Sequence, residues 1–469
     1  MASDESNESN ESVSAGRRAL AAKRTAVRPA IVRSDDVARR PACLRFACPP
    51  QTRLAQKKAP ETNMTAIRIR PSRGLLRTGV ALLLGVAAAL GAQAQKQYDP
   101  GATDTSIKIG HLVPYSGPVS AYGTIGKVAS AWFAKVNAEG GINGRKVDFI
   151  SLDDAYIPSR TVELARKLVE QDEVLVLYGA LGTAQNMAIR RYMNAKKVPQ
   201  LFIATGAARF GDPKAFPWTM GWQPTYQAEG LIYARHILKN KPDAKIAVLL
   251  QNDDFGKDFL KGFIDGLGDQ AKRLIVAQAS YEVTDPTIDS QLISLKASGA
   301  DTFFSITTPK FAAQAIRKAA EIGWKPTQYL ASVSVSVSAV IKPAGPENAL
   351  GVISATYLRD PTDEASKGVK EFDDYRAFMA KYYPGGDLND SLNVLGYSSA
   401  QTLEHVLRRA GDKLTRENIM KIAANLSLTL PMLYPGIDVT TSADDFHPIE
   451  RMQLVRFNGT RYEPFGPVQ

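Results

Sequence analysis

The four histidines of the chain, His111, His236, His405 and His447, lack the spacing that gathers metal ligands on one element. Neither H-E-x-x-H nor G-x-S-x-G occurs, so the patterns of a zinc peptidase and of a serine hydrolase are both missing. Gly126-Lys127 and Gly256-Lys257 end like phosphate loops. Position 121 is Ala where the first loop needs Gly, however, and Val128 and Asp258 replace the hydroxyl residue that would bind magnesium. Asp153-Asp154 brings two carboxylates together, but neighbours on a strand face opposite ways, which suits turn capping better than acid–base work. The two cysteines, Cys43 and Cys48, both precede position 95, so no disulfide, thiolate metal site or cysteine nucleophile is available after it. A lone C-x4-C with no second pair does not define a zinc site. No enzyme, metal or cofactor is expected, and the chemistry that remains is binding.

Two stretches have the small-residue composition of donor-rich turns. They are Gly-Ala-Leu-Gly-Thr at 179–183 and Thr-Gly-Ala-Ala-Arg at 205–209. Each follows a strand-like run, 174–178 and 199–204, and the first opens the helical pattern of 184–195. The same grammar begins earlier. Residues 107–112 read as a strand and 114–118 as a turn; from Gly123 the positions Ile125, Ala129, Trp132, Phe133 and Val136 fall on one helical face until Gly140-Gly141. With a strand at 147–152 this is a βαβ unit, so the class is α/β with a parallel sheet and a ligand at the strands' carboxyl ends.

The series continues with a helix capped at Ser159, irregular backbone over 218–224, and a domain crossing near 222–225. Helices at 226–238, 255–267, 286–297 and 309–322 then alternate with strands at 245–250, 274–281, 301–306 and 329–333. Residues 332–338 alternate Ser and Val as an extended strand would, although 339–341 suggests a short helix. A strand at 351–358 is expected to return to the first lobe. Helices at 369–382, 392–410 and 416–424 follow, with edge strand at 452–457 and around Phe465.

The net charge of +11 is unevenly placed. Residues 1–94 hold sixteen Lys and Arg against seven Asp and Glu, a net of +9, which leaves +2 for 95–469. That balance gives no support to nucleic-acid binding. Within 64–94, Arg68, Arg70, Arg73 and Arg77 precede an apolar run at 80–90 and the cleavage pattern Ala92-Gln93-Ala94. The run is too short to span a bilayer, so a signal peptide cleaved after Ala94 and a periplasmic protein are expected. Residues 1–63 are either a disordered basic extension or a mis-assigned start, with Met64 the true one.

The chain resembles the branched-chain amino-acid type of periplasmic binding protein, the soluble receptors of ABC importers. The resemblance covers about 104–469. It rests on Pro114-Tyr115-Ser116-Gly117-Pro118 with Tyr122-Gly123, then Asn137-Ala138-Glu139-Gly140-Gly141-Ile142-Asn143-Gly144, then Asp153-Asp154. Phe216-Pro217-Trp218, Asp253-Asp254-Phe255-Gly256, Ser298-Gly299-Ala300-Asp301 and Gly396-Tyr397 complete it. It implies the two-lobed type I fold with three hinge crossings. Lobe 1 would comprise 104–224 and 351–430, and lobe 2 would comprise 225–350 and 431–469. Ligand would be captured between them by a monomer that passes it to permease subunits at the inner membrane.

Carried over by resemblance, the site consists of Tyr122, Leu181, Gly182, Thr183, Gly206, Ala207 and Ala208 on lobe 1, with Phe255 and Asp285 on lobe 2. The two turns would point N–H groups at a ligand carboxylate, the first aided by a helix N-terminus. Asp285 would hold an ammonium, or else cap the helix expected at Pro286. Leu181 and Ala208 stand where the family has hydroxyl residues, which opens the alternative of aromatic or aliphatic acids. Arg209 is then either a charge partner or a surface residue. The functional expectation is an importer's receptor for an amino acid or related carboxylate; a ligand sensor of the same fold is the rival.

Overall fold

The computed structural model describes residues 96–363 and 367–469; the expected leader and extension and both cysteines lie outside the described residues. β1 (Ser106–Val113) buries Ile107, Ile109, Leu112 and Val113 completely, as a strand covered on both faces must. α1 (Gly123–Ala138) packs Ile125, Ala129, Trp132, Phe133 and Val136 inward and stops where Gly140 and Gly141 take positive φ. β2 (Lys146–Asp153), α2 (Pro158–Glu170), β3 (Val176–Tyr178), α3 (Thr183–Lys196), β4 (Gln200–Ile203) and β5 (Thr219–Gly221) complete a parallel sheet ordered β2-β1-β3-β4-β5.

The second series runs α4 (Tyr226–Asn240), β6 (Ile246–Gln251), α5 (Asp254–Leu267), β7 (Ile275–Tyr281), α6 (Asp289–Ala297), β8 (Thr302–Ile306), α7 (Pro309–Glu321) and β9 (Thr327–Leu330). β10 (Ile353–Thr356), β11 (Gln453–Phe457) and β12 (Tyr462–Pro464) enlarge its sheet to the order β12-β11-β10-β9-β8-β6-β7. Pairing is parallel except where β11 meets β10 and β12. Between β10 and β11 lie α8 (Lys370–Tyr382), α9 (Ser391–Ala410) and α10 (Arg416–Ala423). α9 lies so close to α1 that a Cβ on Gly396 would come within 2.6 Å of the Ile125 carbonyl oxygen, and Trp132 Nε1 donates to Glu404 Oε2 at 2.8 Å. The chain therefore crosses between two lobes three times: after β5, after β10, and between α10 and β11. At the hinge, Gln223 Nε2 donates to the Tyr357 hydroxyl at 2.9 Å, and Trp222 sets its ring edge-on to Tyr357.

Several expected elements are corrected. Residues 219–221, expected to be irregular, are strand β5, whose three residues are too few to show an alternating pattern against their Trp and Pro surroundings. The strand at 353–356 does not return to the first lobe; Tyr329 pairs with Ile353 and Ser354 with Val455, so it belongs to the larger sheet and the crossing follows it. The helix expected from Pro286 begins at Asp289, with Ile288 ahead of it. α2 begins at Pro158 with Ile157 in the capping position and no side-chain cap, so Ser159 is already inside the helix. β11 is an inner strand, because β12 takes the edge.

Candidate ligand-binding site

Where the two sheets face one another, the loops after their strands enclose a cavity of about 240 Å³. From the first lobe come Tyr122, Ile125, Tyr156, Leu181, Gly182 and Thr183; from the second, Phe255, Thr308, Ser332, Val333, Val335 and Val337. Thr308 follows β8 and Ser332 follows β9, at the carboxyl ends where an open α/β sheet offers its loops to a ligand. Past the hinge, Tyr357, Leu358, Arg359, Phe372, Ser391, Leu392 and Tyr462 prolong the lining.

Aromatic packing fixes the lobe 2 wall. Phe255 stands edge-on to Tyr226 at 5.1 Å, and Tyr226 stacks on Phe259 at 5.2 Å, contacts that each add roughly 0.5–1.5 kcal/mol beyond burial. Asp253 caps α5 by accepting from Gly256 N at 3.1 Å, so the Asp-Asp-Phe-Gly stretch combines a helix cap with a ring directed into the cavity. The Ser–Val alternation is a wall as well. Residues 332–334 form a 3₁₀ turn and 337–341 a π-helical turn rather than a strand. Each serine is tied back into the protein: Ser332 Oγ donates to Glu229 Oε2 at 2.6 Å, Ser334 Oγ to the Thr307 carbonyl at 2.6 Å, Ser336 Oγ to Asp390 Oδ1 at 2.8 Å and Ser338 Oγ to Asp387 Oδ2 at 2.7 Å. The valines between them line the cavity.

The structure brings together five of the ten residues named from the sequence: Tyr122, Leu181, Gly182, Thr183 and Phe255 line the cavity. Tyr122 is buried and donates its hydroxyl to the Val333 carbonyl at 3.1 Å, joining the lobes. Gly182 has φ of +101°, and a Cβ there would lie 2.7 Å from the Tyr156 ring, so a side chain would disturb the opening turn of α3. The N–H groups of that turn are only partly available, since Leu181 N donates to the Leu112 carbonyl and Gly182 N to the Ala204 carbonyl.

The remaining five are placed elsewhere. Gly206 accepts from Tyr226 N at 2.7 Å, Ala207 N donates to Thr205 Oγ1 at 3.3 Å, and Ala208 N donates across the lobes to Asp258 Oδ2 at 3.0 Å. Arg209 faces Asp254 at 3.8 Å, both largely exposed. Asp285 neither caps a helix nor lines the cavity; its Oδ2 accepts from Glu282 N at 2.9 Å and closes the turn after β7. Asp153 and Asp154 do cap turns: Asp153 accepts from Tyr115 N and Ala155 N at 2.9 Å each, and Asp154 from Thr161 Oγ1 at 2.7 Å. His111 is fully buried, its Nδ1 2.9 Å from Ser151 Oγ, and burial depresses its pKa to about 3, so it stays neutral. No cluster of three or more His, Cys, Asp or Glu suited to a metal occurs among the described residues.

The family model described as periplasmic binding protein matches residues 106–461, most of the chain and both lobes of the cavity. The chain belongs to that family. A Leu/Ile/Val-binding protein homolog 7 from Brucella suis biovar 1 is 25% identical over 341 residues, 70% of this chain and 82% of its own. A branched chain amino acid ABC transporter protein from Thermus thermophilus with bound valine superposes with a TM-score of 0.69 at 16% identity, covering 79% of this chain and 97% of its own. A fatty acid ABC transporter substrate-binding protein from Thermomonospora curvata gives 0.67 at 20% identity, covering 80% and 95%. These two structures share the type I fold.

In this periplasmic binding protein, the residues that sequence analysis missed fall into two groups. Thr308 and Ser332 were findable, because each follows a strand's carboxyl end. Arg359, Phe372, Ser391 and Tyr462 were not, since they come from the crossings and from the antiparallel edge of the larger sheet, which carry no motif.

Proposed function

We propose that the protein is the periplasmic receptor of an ABC importer and that it takes an apolar carboxylic acid rather than a free α-amino acid. The supporting observation is the cavity's lining, in which Ile125, Leu181, Phe255, Val333, Val335, Val337, Phe372, Leu392 and Leu395 predominate. Leu181, at a position where the family has a hydroxyl residue, adds to that apolar wall, and Asp285, the residue carried over as an ammonium partner, sits outside the lining. Asp360 and Asp363, the acids that do line the cavity, are engaged, Asp360 by Thr362 N and Oγ1, so an ammonium would find no free counter-charge there, at a cost of several kcal/mol. The unpaired first-turn N–H groups of α3 are suited to the acid. Binding is the whole task in this reading: the chain holds the solute between closed lobes and hands it to permease subunits, as a monomer, after export directed by 64–94 and cleavage after Ala94.

The full periplasmic protein should be titrated calorimetrically with leucine, benzoate and decanoate. The apolar acids should bind at least 100-fold more tightly than leucine. Tighter leucine binding would replace this reading with the amino-acid one. N-terminal sequencing of the exported protein checks the cleavage site.

A further inference from the structure

The polar groups of the cavity are not equally satisfied. At the α3 end each hydroxyl already has a partner: Tyr122 with the Val333 carbonyl, Thr183 Oγ1 with Thr205 Oγ1 at 2.7 Å, Thr308 Oγ1 with Gln251 Oε1 at 3.3 Å, and Ser332 with Glu229. Elsewhere in the lining the Tyr462 hydroxyl and Ser391 Oγ are buried and lack any partner among the described residues. Tyr462 is only 5% exposed. An orphaned buried hydroxyl has given up its hydration without return, a cost that a ligand group can cancel. Arg359 lines the cavity too and adjoins Asp360, a carboxyl within electrostatic reach of the Tyr462 hydroxyl; its Nε donates to the Leu433 carbonyl at 3.0 Å and its guanidinium lies 5.5 Å from the Phe372 ring centroid, which leaves the terminal nitrogens for a ligand. The acids there are occupied. Asp360 Oδ1 accepts from Thr362 N at 2.8 Å and Thr362 Oγ1 at 2.7 Å, and Asp363 has an interaction of its own. Unused donors beside engaged acceptors call for a ligand acceptor.

Strand order gives the distance. At the α3 end Thr183 bonds Thr205, Thr205 Oγ1 donates to the Tyr226 hydroxyl at 3.3 Å, and Tyr226 stands against Phe255 just past β6. Tyr462 is on β12, five strand steps from β6 in the same sheet, about 24 Å at about 4.8 Å per step, a span that side chains reaching inward from both ends shorten. Val333 meets Tyr122 at the first end, Val337 belongs to the apolar cluster that holds Tyr462, and both line the cavity.

We propose that Arg359 and Tyr462 form a second polar subsite for a hydrogen-bond acceptor, carboxylate or carbonyl, at the far end of an extended apolar acid. This rests on the apolar-acid reading and names the solute class within it: a chain or ring system polar at both ends. Arg359 supplies the charge and a planar pair of donors, and Tyr462 a neutral donor.

Calorimetric titration of the full protein with decanoate and decanedioate tests it. Decanedioate should bind at least tenfold more tightly than decanoate. Tyr462→Phe, which deletes an oxygen with no structural partner, should cut that preference about fivefold with a thermal midpoint no lower than that of the wild type. Arg359→Lys should reduce the preference and Arg359→Met should abolish it. Equal affinity for the two acids, or a preference untouched in Tyr462→Phe, overturns the subsite while leaving the apolar-acid reading intact. Failure of both acids where leucine binds overturns both.

Discussion

Glu229 shows what burial does to one side chain. It lies fully buried in α4, accepting from Ser332 N at 2.7 Å, Ser332 Oγ at 2.6 Å and the Tyr233 hydroxyl at 2.6 Å. Burial outweighs those bonds and pushes its pKa from 4.5 up to about 7. The folded chain then keeps a proton that the unfolded chain sheds. The group's contribution is fully present below pH 4.5 and is lost as pH rises through about 7, up to about 3 kcal/mol. Denaturant midpoints between pH 5 and 8 should fall less steeply in Glu229→Gln than in the wild type; parallel slopes would show that Glu229 titrates normally. Asp285 makes the opposite case. Because its carboxylate closes a turn outside the cavity, Asp285→Asn should change solute affinity less than about twofold by calorimetry.

At the scale of elements, 332–338 divides its labour by alternation: serines anchor, valines line. Ser336→Ala takes a donor from the buried Asp390 carboxyl, which also caps α9 by accepting from Leu392 N, and should cost about 1–3 kcal/mol in chemical denaturation. Val335→Ser should do the reverse, weakening solute binding with little change in stability. If both variants lose stability alike, the segment has no such division. The alternation itself was visible in the sequence. Its conformation was not, because period-two polarity fits a strand, and only hydroxyl partners on three separate segments, at Glu229, Thr307 and Asp387–Asp390, bend it into helical turns.

At the scale of the whole molecule, hydrogen bonds bridge the two lobes. Asp258 on α5 accepts from Ala208 N at 3.0 Å, a charged hydrogen bond worth roughly 1.5–3 kcal/mol, whereas Arg209 and Asp254 at 3.8 Å, both largely exposed, contribute about 0–1 kcal/mol. Asp258→Ala should therefore shift the solute-loaded protein toward the open form, read as a larger radius of gyration by small-angle scattering. Arg209→Ala should leave the loaded radius unchanged. The opposite pattern would make the ion pair the latch.

Local composition decided much of this protein. Period and turn residues located β1, α1, β2 and most later elements to within a few positions, and the order strand, helix, strand required parallel sheets whose carboxyl ends face the ligand. Tyr122, Leu181, Gly182, Thr183 and Phe255 were legible through the resemblance to the family, and each follows a strand end within its own lobe. Tertiary structure decided the rest. Whether the Ala208 N–H meets a ligand or Asp258 depends on how the lobes close, and whether 353–356 joins one sheet or the other depends on pairing with a strand about a hundred residues away. Arg359, Ser391 and Tyr462 share a cavity only because the third crossing returns β11 and β12 to the larger sheet, a pairing of distant segments that no local spacing encodes.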